Sequence, residues 1–325
     1  MKKSIFSATI VTLVCSAAFG GALDSSVVCG EASWVAHVDI EAMLASETGK
    51  MFLAASEARE GHAKRMATLK EYVACDPLKD IRGVTIYGSQ LGVHDAAVIA
   101  DATVDSEKLI TTLKTKASYK TVEHGKHAVH QWADKMRGDN TASSFACFYD
   151  KNTVVFGTSL KRIGGALDVL DAKSDTLAKT KAIKSLPEAS KGAIFTLAAD
   201  KIVFPQGRAP RAAMLKKVSS LAIQFGEGAE GLFISSSMQA GSVEDAVNMR
   251  KFIQGFVALS NMVRQQEQFA MLRDLGEKIT VGGDGAQVNV DASLPVKSLV
   301  RILTFIDENH KARRADKADK DSDTK

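Results

Sequence analysis

Apolar and polar positions along this chain fall into one arrangement that recurs. In residues 232–253 a strand-length apolar run, LFIS, gives way to a small polar break, QAGS. Val243, Ala246, Val247, Phe252 and Ile253 then return at helical spacing. Ser242, with Asp245 three residues on, predicts the helix start, its hydroxyl accepting from an early free N–H. The same order of strand, cap and helix is found at 96–114, 153–170 and 286–306, with a looser copy at 33–52. Near the end of the chain, Ala286, Val288, Val290 and Ala292 alternate with Gln287, Asn289 and Asp291. That alternation predicts an antiparallel sheet with one wet face and one face under helices.

Between these copies the pattern predicts a helical stretch over 41–72, interrupted near Gly49 and Gly61, and a strand in DIRGVTIYG. Asp105 starts a helix. KTVEHGKHAVHQW reads as a hairpin turned at Gly125-Lys126, and FACFYDKNTVVFG as another turned at 150–152, with Ser159 opening the helix that ends at Leu170. Strand patterns follow in AIFTLAAD, KVSSLAIQFG and GLFISSS. DIRGVTIYG, AAVIADATV and DSEKLITTLK match KVSSLAIQFG, GLFISSS and SVEDAVNMRKFI in order. The economical account is a tandem duplication. The expected fold is therefore α+β, in two tandem similar halves, with mainly antiparallel sheets and helices packed on one face. The boundaries are 1–22 for a signal peptide, 23–171 and 192–308 for the halves, and 172–191 for a polar connecting segment. The charged tail 309–325 lacks apolar periodicity and is expected to be disordered.

Composition changes this picture in three ways. With 325 residues and 45% hydrophobic side chains, the chain can bury a full core, although only 6% are aromatic. Lys2 and Lys3, the apolar run from Ile5 to Phe19 and the small residues Gly20, Gly21 and Ala22 have the order of a cleaved secretory signal. Cys15 follows Val14, where lipid attachment needs a small residue, which argues against a lipoprotein. The expected location is periplasmic or extracellular, with no transmembrane segment in the mature chain. Losing Lys2 and Lys3 takes the formal net charge from +4 to +2, and no basic stripe is interleaved with aromatics, so nucleic acid is not an expected partner. The mature cysteines are Cys29, Cys75 and Cys147; Cys29 and Cys75 either bridge the first excursion or stay free, while Cys147, between Phe145 and Tyr149, reads as a small buried hydrophobe.

Candidate chemistry is sparse. GEGAEG at 226–231 has dinucleotide-loop spacing, but a strand follows where a helix N-terminus is needed, so it reads as a hairpin turn. His124 and His127 would sit opposite one another on the hairpin, as a solvent-facing pair, with His130 opposite Thr121 on the other face. Two ligands are too few for structural zinc. His37 and Asp39 share one face of the first strand, a fair start for acid–base chemistry, yet no G-x-S-x-G elbow, H-E-x-x-H or P-loop accompanies them. Ser235–Ser237 read as ordinary wet-face polarity. No cofactor is expected.

The stretch 167–195, LDVLDAKSDTLAKTKAIKSLPEASKGAIF, with EASWVAHVDIEAML at 31–44 and the closing strand and helix, resembles exported bacterial proteins of unknown function built from tandem α+β repeats. That resemblance implies the fold and the envelope setting; it carries no assigned activity or site residue.

The expected role is thus non-enzymatic, binding or structural, in the cell envelope, with a protein partner or a second copy of the chain. The alternatives are a small-ligand carrier using a cleft between the halves, or a hydrolase assembled from distant loops. The helical pattern from 242 to 275 would be about 50 Å long. Phe252, Ile253, Phe256, Val257, Leu259, Met262 and Val263 are available there for a core. Beyond the polar run 264–268, Phe269, Leu272 and Leu275 form the candidate partner-binding stripe, on a segment that either folds back or projects.

Overall fold

The structure, a computed structural model, describes residues 21–59, 61–90, 96–116, 118–135, 141–200, 217–262, 278–296 and 298. Its strands are β1 (Trp34–Asp39), β2 (Ile81–Gly88), β3 (Ala96–Ala102), β4 (Lys120–His124), β5 (His127–Lys135), β6 (Thr141–Phe148), β7 (Thr153–Gly157), β8 (Ala193–Asp200), β9 (Val218–Gly228), β10 (Gly231–Ala240), β11 (Ile279–Gly282) and β12 (Gln287–Leu294). The helices are α1 (Ile40–Ala45), α2 (Glu47–Glu57), α3 (His62–Val73), α4 (Ser106–Lys114), α5 (Leu160–Leu170), α6 (Leu177–Thr180) and α7 (Val243–Met262).

Short polar side chains fix where the helices begin. The side chains of Asp39, Ser46, Asp105, Ser159 and Thr176 accept from the early free N–H groups of α1, α2, α4, α5 and α6. At α7 the Ser242 hydroxyl accepts from Asp245 N–H at 3.0 Å, as the sequence pattern predicts. The interruption expected near Gly49 falls at Ser46, whose extended backbone ends α1 and caps α2; Gly49 is inside α2. The break at Gly61 is present, with φ +73° ahead of α3.

All twelve strands form one sheet in the order β11-β12-β10-β9-β8-β1-β2-β3-β7-β6-β5-β4, every pairing antiparallel. The stretches before and after the connecting segment join through β1 and β8. Residues paired directly across strands point to one face, so register carries face identity across the sheet. Val35 pairs with Tyr87 and Ala198, and Tyr87 with Ala97. This face carries α5, whose Ile163, Ala166 and Leu167 join them in the main core. On the opposite face Trp34 pairs with Ala199, Ala199 with Leu221, Leu221 with Met238 and Met238 with Val288. There α7 lays Ala246 and Met249 against Val218, Ala240 and Val288. The class is α+β with antiparallel pairing, as expected, and α5 and α7 take opposite faces.

Segment 172–191 is more than a connection. Its few apolar residues go inward: Leu177 and Ile183 are buried among Val27, Val28 and Ala32, with Leu186 packed alongside. Gly30 permits this docking, because a Cβ there would lie 2.7 Å from Thr180 Cγ2 and 2.9 Å from the Asp175 carbonyl oxygen.

One expectation about the core is corrected. Phe252, Phe256 and Leu259 are 63%, 57% and 61% exposed, while Ile253 packs against the α7 cluster. A helix lying on a sheet buries one stripe, here Ala246, Met249 and Ile253, and turns the i, i+4, i+7 positions beginning at Phe252 away from it.

Candidate functional site

Register brings together a polar row that is scattered in the sequence. Thr85 on β2 pairs with His37 on β1, His37 with Thr196 on β8, and Thr196 with Gln224 on β9. Gln224 pairs in turn with Ser235, and Ser235 with Asp291. Thr85, His37, Thr196 and Gln224 are buried. Above them lies a cavity of about 190 Å³, where β1 meets β8 and β9. His37, Ala193, Thr196 and Gln224 line it from the sheet side. Ala22, Leu23 and Ser25 line it from the start of the described chain, and Leu186, Pro187 and Ala189 from the connecting segment.

The hydrogen bonds define the state of each group. His37 Nε2 lies 2.8 Å from the Gly21 carbonyl oxygen, which only accepts, so Nε2 carries the proton. Burial pulls the His37 pKa down against the raising effects of that bond and of Asp39, and the ring is neutral. Nδ1 therefore accepts from the Thr85 hydroxyl at 2.9 Å. With both nitrogens engaged, His37 has no free lone pair to take a proton from a nucleophile. Ser25 lines the same cavity, but neither ring nitrogen of His37 is bonded to it. Asp39 is engaged elsewhere, where its carboxylate accepts from Ala42 N–H at 2.8 Å and caps α1. The His37 and Asp39 pair expected from the sequence shares a face but forms no catalytic dyad.

The other polar lining groups retain bonding capacity. Gln224 donates to the Glu188 carbonyl at 3.0 Å and accepts from Ser190 Oγ at 2.7 Å, leaving one N–H and one lone pair. The Thr196 hydroxyl makes no hydrogen bond with any described residue, although the residue is only 6% exposed.

The histidine hairpin has a different role. His124 and His127 pair across the turn and His130 pairs with Thr121, as expected. His124 and His127 are not a solvent-facing pair, however. His124 Nε2 lies 2.8 Å from Asp168 Oδ1, and buried His127 has Nε2 3.0 Å from Asp171 Oδ1, both acids coming from α5 or its end. Close approach of α5 requires Gly164, where a Cβ would be 2.9 Å from the His124 ring. Lys173 leads the groups that hold the Asp171 carboxyl well below its usual range; burial opposes it, and His127 and Lys126 assist. Tyr149 adds a bond to Asp171 at 3.2 Å. On the other face His130 meets Tyr119 and Phe148. The bonds of His124 and His127 clamp the hairpin to α5 and its end. Among the described residues no three metal-ligating side chains converge.

Cys29, Cys75 and Cys147 are all free, and burial pushes the Cys147 thiol up to about 11, the state of an inert core residue. GEGAEG forms the β9–β10 turn, with Gly228 paired to Gly231. Ser235 and Ser237 lie on the face away from α7 while Ser236 shares the α7 face, its hydroxyl donating to the Val290 carbonyl. Phe269, Leu272 and Leu275 lie outside the described residues, as do residues 1–20 and the tail 309–325. Thr85, Thr196 and Gln224 were not among the sequence candidates. Nothing local marks them, since Asp200 shares the face of Thr196 and Ser220 that of Gln224, and their alignment depends on pairings between residues far apart in the chain.

No family model matches this chain, and no curated protein matches it. Among solved structures, crystal form III of TP0453 is similar at TM-score 0.42 and 11% identity, covering 86% of this chain and 98% of that one. Crystal form IV gives 0.42 and 10%, with 87% and 97% covered; form I gives 0.44 and 8%, with the same coverage as form IV. Likeness at this level assigns neither family nor function.

Proposed function

We propose that the chain is an exported, non-catalytic binding protein of the cell envelope, and that its seam cavity holds a small solute. The cavity carries this reading, because the Thr196 hydroxyl, which bonds to no described residue, lines it beside the unfilled capacity of Gln224. Ligand sites are concave, mostly apolar and marked by a few placed polar groups. At about 190 Å³ this one is smaller than the roughly 300–1,000 Å³ of drug-sized sites, which restricts the solute to a small one. The hydrolase alternative loses support through Asp39, which caps α1 and forms no dyad with His37. Export rests on Lys2, Lys3 and the apolar run after them, and no helix among the described residues is long and apolar enough to cross a membrane.

A cavity floor that joins β1 to β8 and β9 supports the reading of a cleft between two halves. We read the strand orders β1-β2-β3-β7-β6 and β8-β9-β10-β12-β11 as two copies of one unit, with the hairpin β4–β5 added to the first. Thermal-shift measurements on the mature chain against a panel of small metabolites test the binding reading. A subset should raise the melting temperature in the wild type and not in Thr196→Val. A panel that leaves the wild type unmoved, with the cavity shown to be water-filled, overturns it.

A further inference from the structure

We infer that the seam cavity is selective for an uncharged solute bearing both hydrogen-bond donors and acceptors, of the amide or polyol class; this rests on the binding reading above. Among the described residues, no formally charged side chain lines the cavity. Its polar groups are the Thr196 hydroxyl, the Gln224 amide, Ser25 and the neutral His37 ring. A hydroxyl and an amide both donate and accept, so a ligand that does the same can satisfy them. An anion or cation placed there would lose its hydration and meet no countercharge, which excludes it far more strongly than a missing hydrogen bond would.

The remaining walls favour a molecule with one apolar side. Leu23, Leu186, Pro187 and Ala189 face the sheet groups across the cavity, and Ala193 adds an apolar position on the sheet side. The volume holds about six waters at ~30 Å³ each, room for a molecule of that bulk. One of the walls is a chain segment held over the sheet by side-chain bonds from Gln224 to residues 188 and 190.

The test uses the mature chain with methyl-labelled leucine and threonine, titrated separately with acetamide, glycerol, acetate and methylammonium. Probes this small should bind in the millimolar range. Acetamide and glycerol are expected to shift the methyl resonances of Leu23, Leu186 and Thr196 saturably, and the two ions to leave them in place. Thr196→Val should weaken acetamide binding about tenfold, the loss of one buried hydrogen bond, and Thr196→Ser should retain it. If acetate or methylammonium binds as tightly as acetamide, the uncharged-ligand inference fails while the binding reading stands. If none of the four moves these methyls, both fall. Unaltered acetamide binding in a folded Thr196→Val overturns the role of the hydroxyl.

Discussion

Glu227, on β9 beside the turn to β10, serves a helix end 179 residues away. Its carboxylate accepts from Glu47 N–H at 2.9 Å, from Thr48 N–H at 2.8 Å and from the Thr48 hydroxyl, filling the first free donors of α2. Burial alone would raise its pKa, but these three bonds outweigh that and hold it below its ordinary value. The sign of the pH effect follows. A depressed carboxylate contributes stability that is complete above its unfolded pKa and is lost as pH falls through the folded one. Glu227→Gln should cost about 1–2 kcal/mol at pH 7 in urea unfolding, the range for a lost helix cap. The gap between variant and wild type should narrow as pH drops below about 4, near the unfolded carboxylate value. A gap independent of pH would mean that the charge of Glu227 is not what caps α2. Nothing local in GEGAEG signals this role, because the sequence of a turn does not name the helix that lies against it.

Local chemistry made many elements readable, and tertiary packing hid what they touch. The caps at Asp105, Ser159 and Ser242, the hairpin at Gly125-Lys126 and the turn at 150–152 follow from residues within a few positions of each other. The alternation of Val288 and Val290 with Gln287 and Asn289 correctly predicted one face under a helix and one face wet. On α7, however, apolar residues occur on more sides than one sheet can cover, so composition could not select the buried stripe. Met249, 4% exposed, and Phe252, 63% exposed, separate the two sides. Met249→Ala should cost about 2–4 kcal/mol, whereas Phe252→Ala should stay within about 0.5 kcal/mol. Equal losses in denaturant unfolding would show that the outward stripe is covered in solution. His124 and His127 teach the same lesson, since their pairing was legible and the acids of α5 that receive them were not.

At the scale of the whole molecule, the polar row and the cavity exist only because β1 pairs with β8, strands about 160 residues apart that no local pattern connects. The connecting segment shares this origin: it reads as polar, yet its Leu177 and Ile183 complete the core beneath α5. A fragment spanning 23–191 should therefore melt cooperatively, whereas 23–171 should not, since losing a buried Leu or Ile side chain costs about 2–5 kcal/mol. Equal cooperativity of the two fragments would remove residues 172–191 from the folding unit. The cavity at the seam is tested most sharply by an experimental structure of the mature protein purified from its own envelope fraction. Ordered, non-water density is expected within hydrogen-bonding distance of Thr196 Oγ1 and the Gln224 amide. A cavity collapsed by Leu23 and Leu186, or filled by water alone, would contradict it.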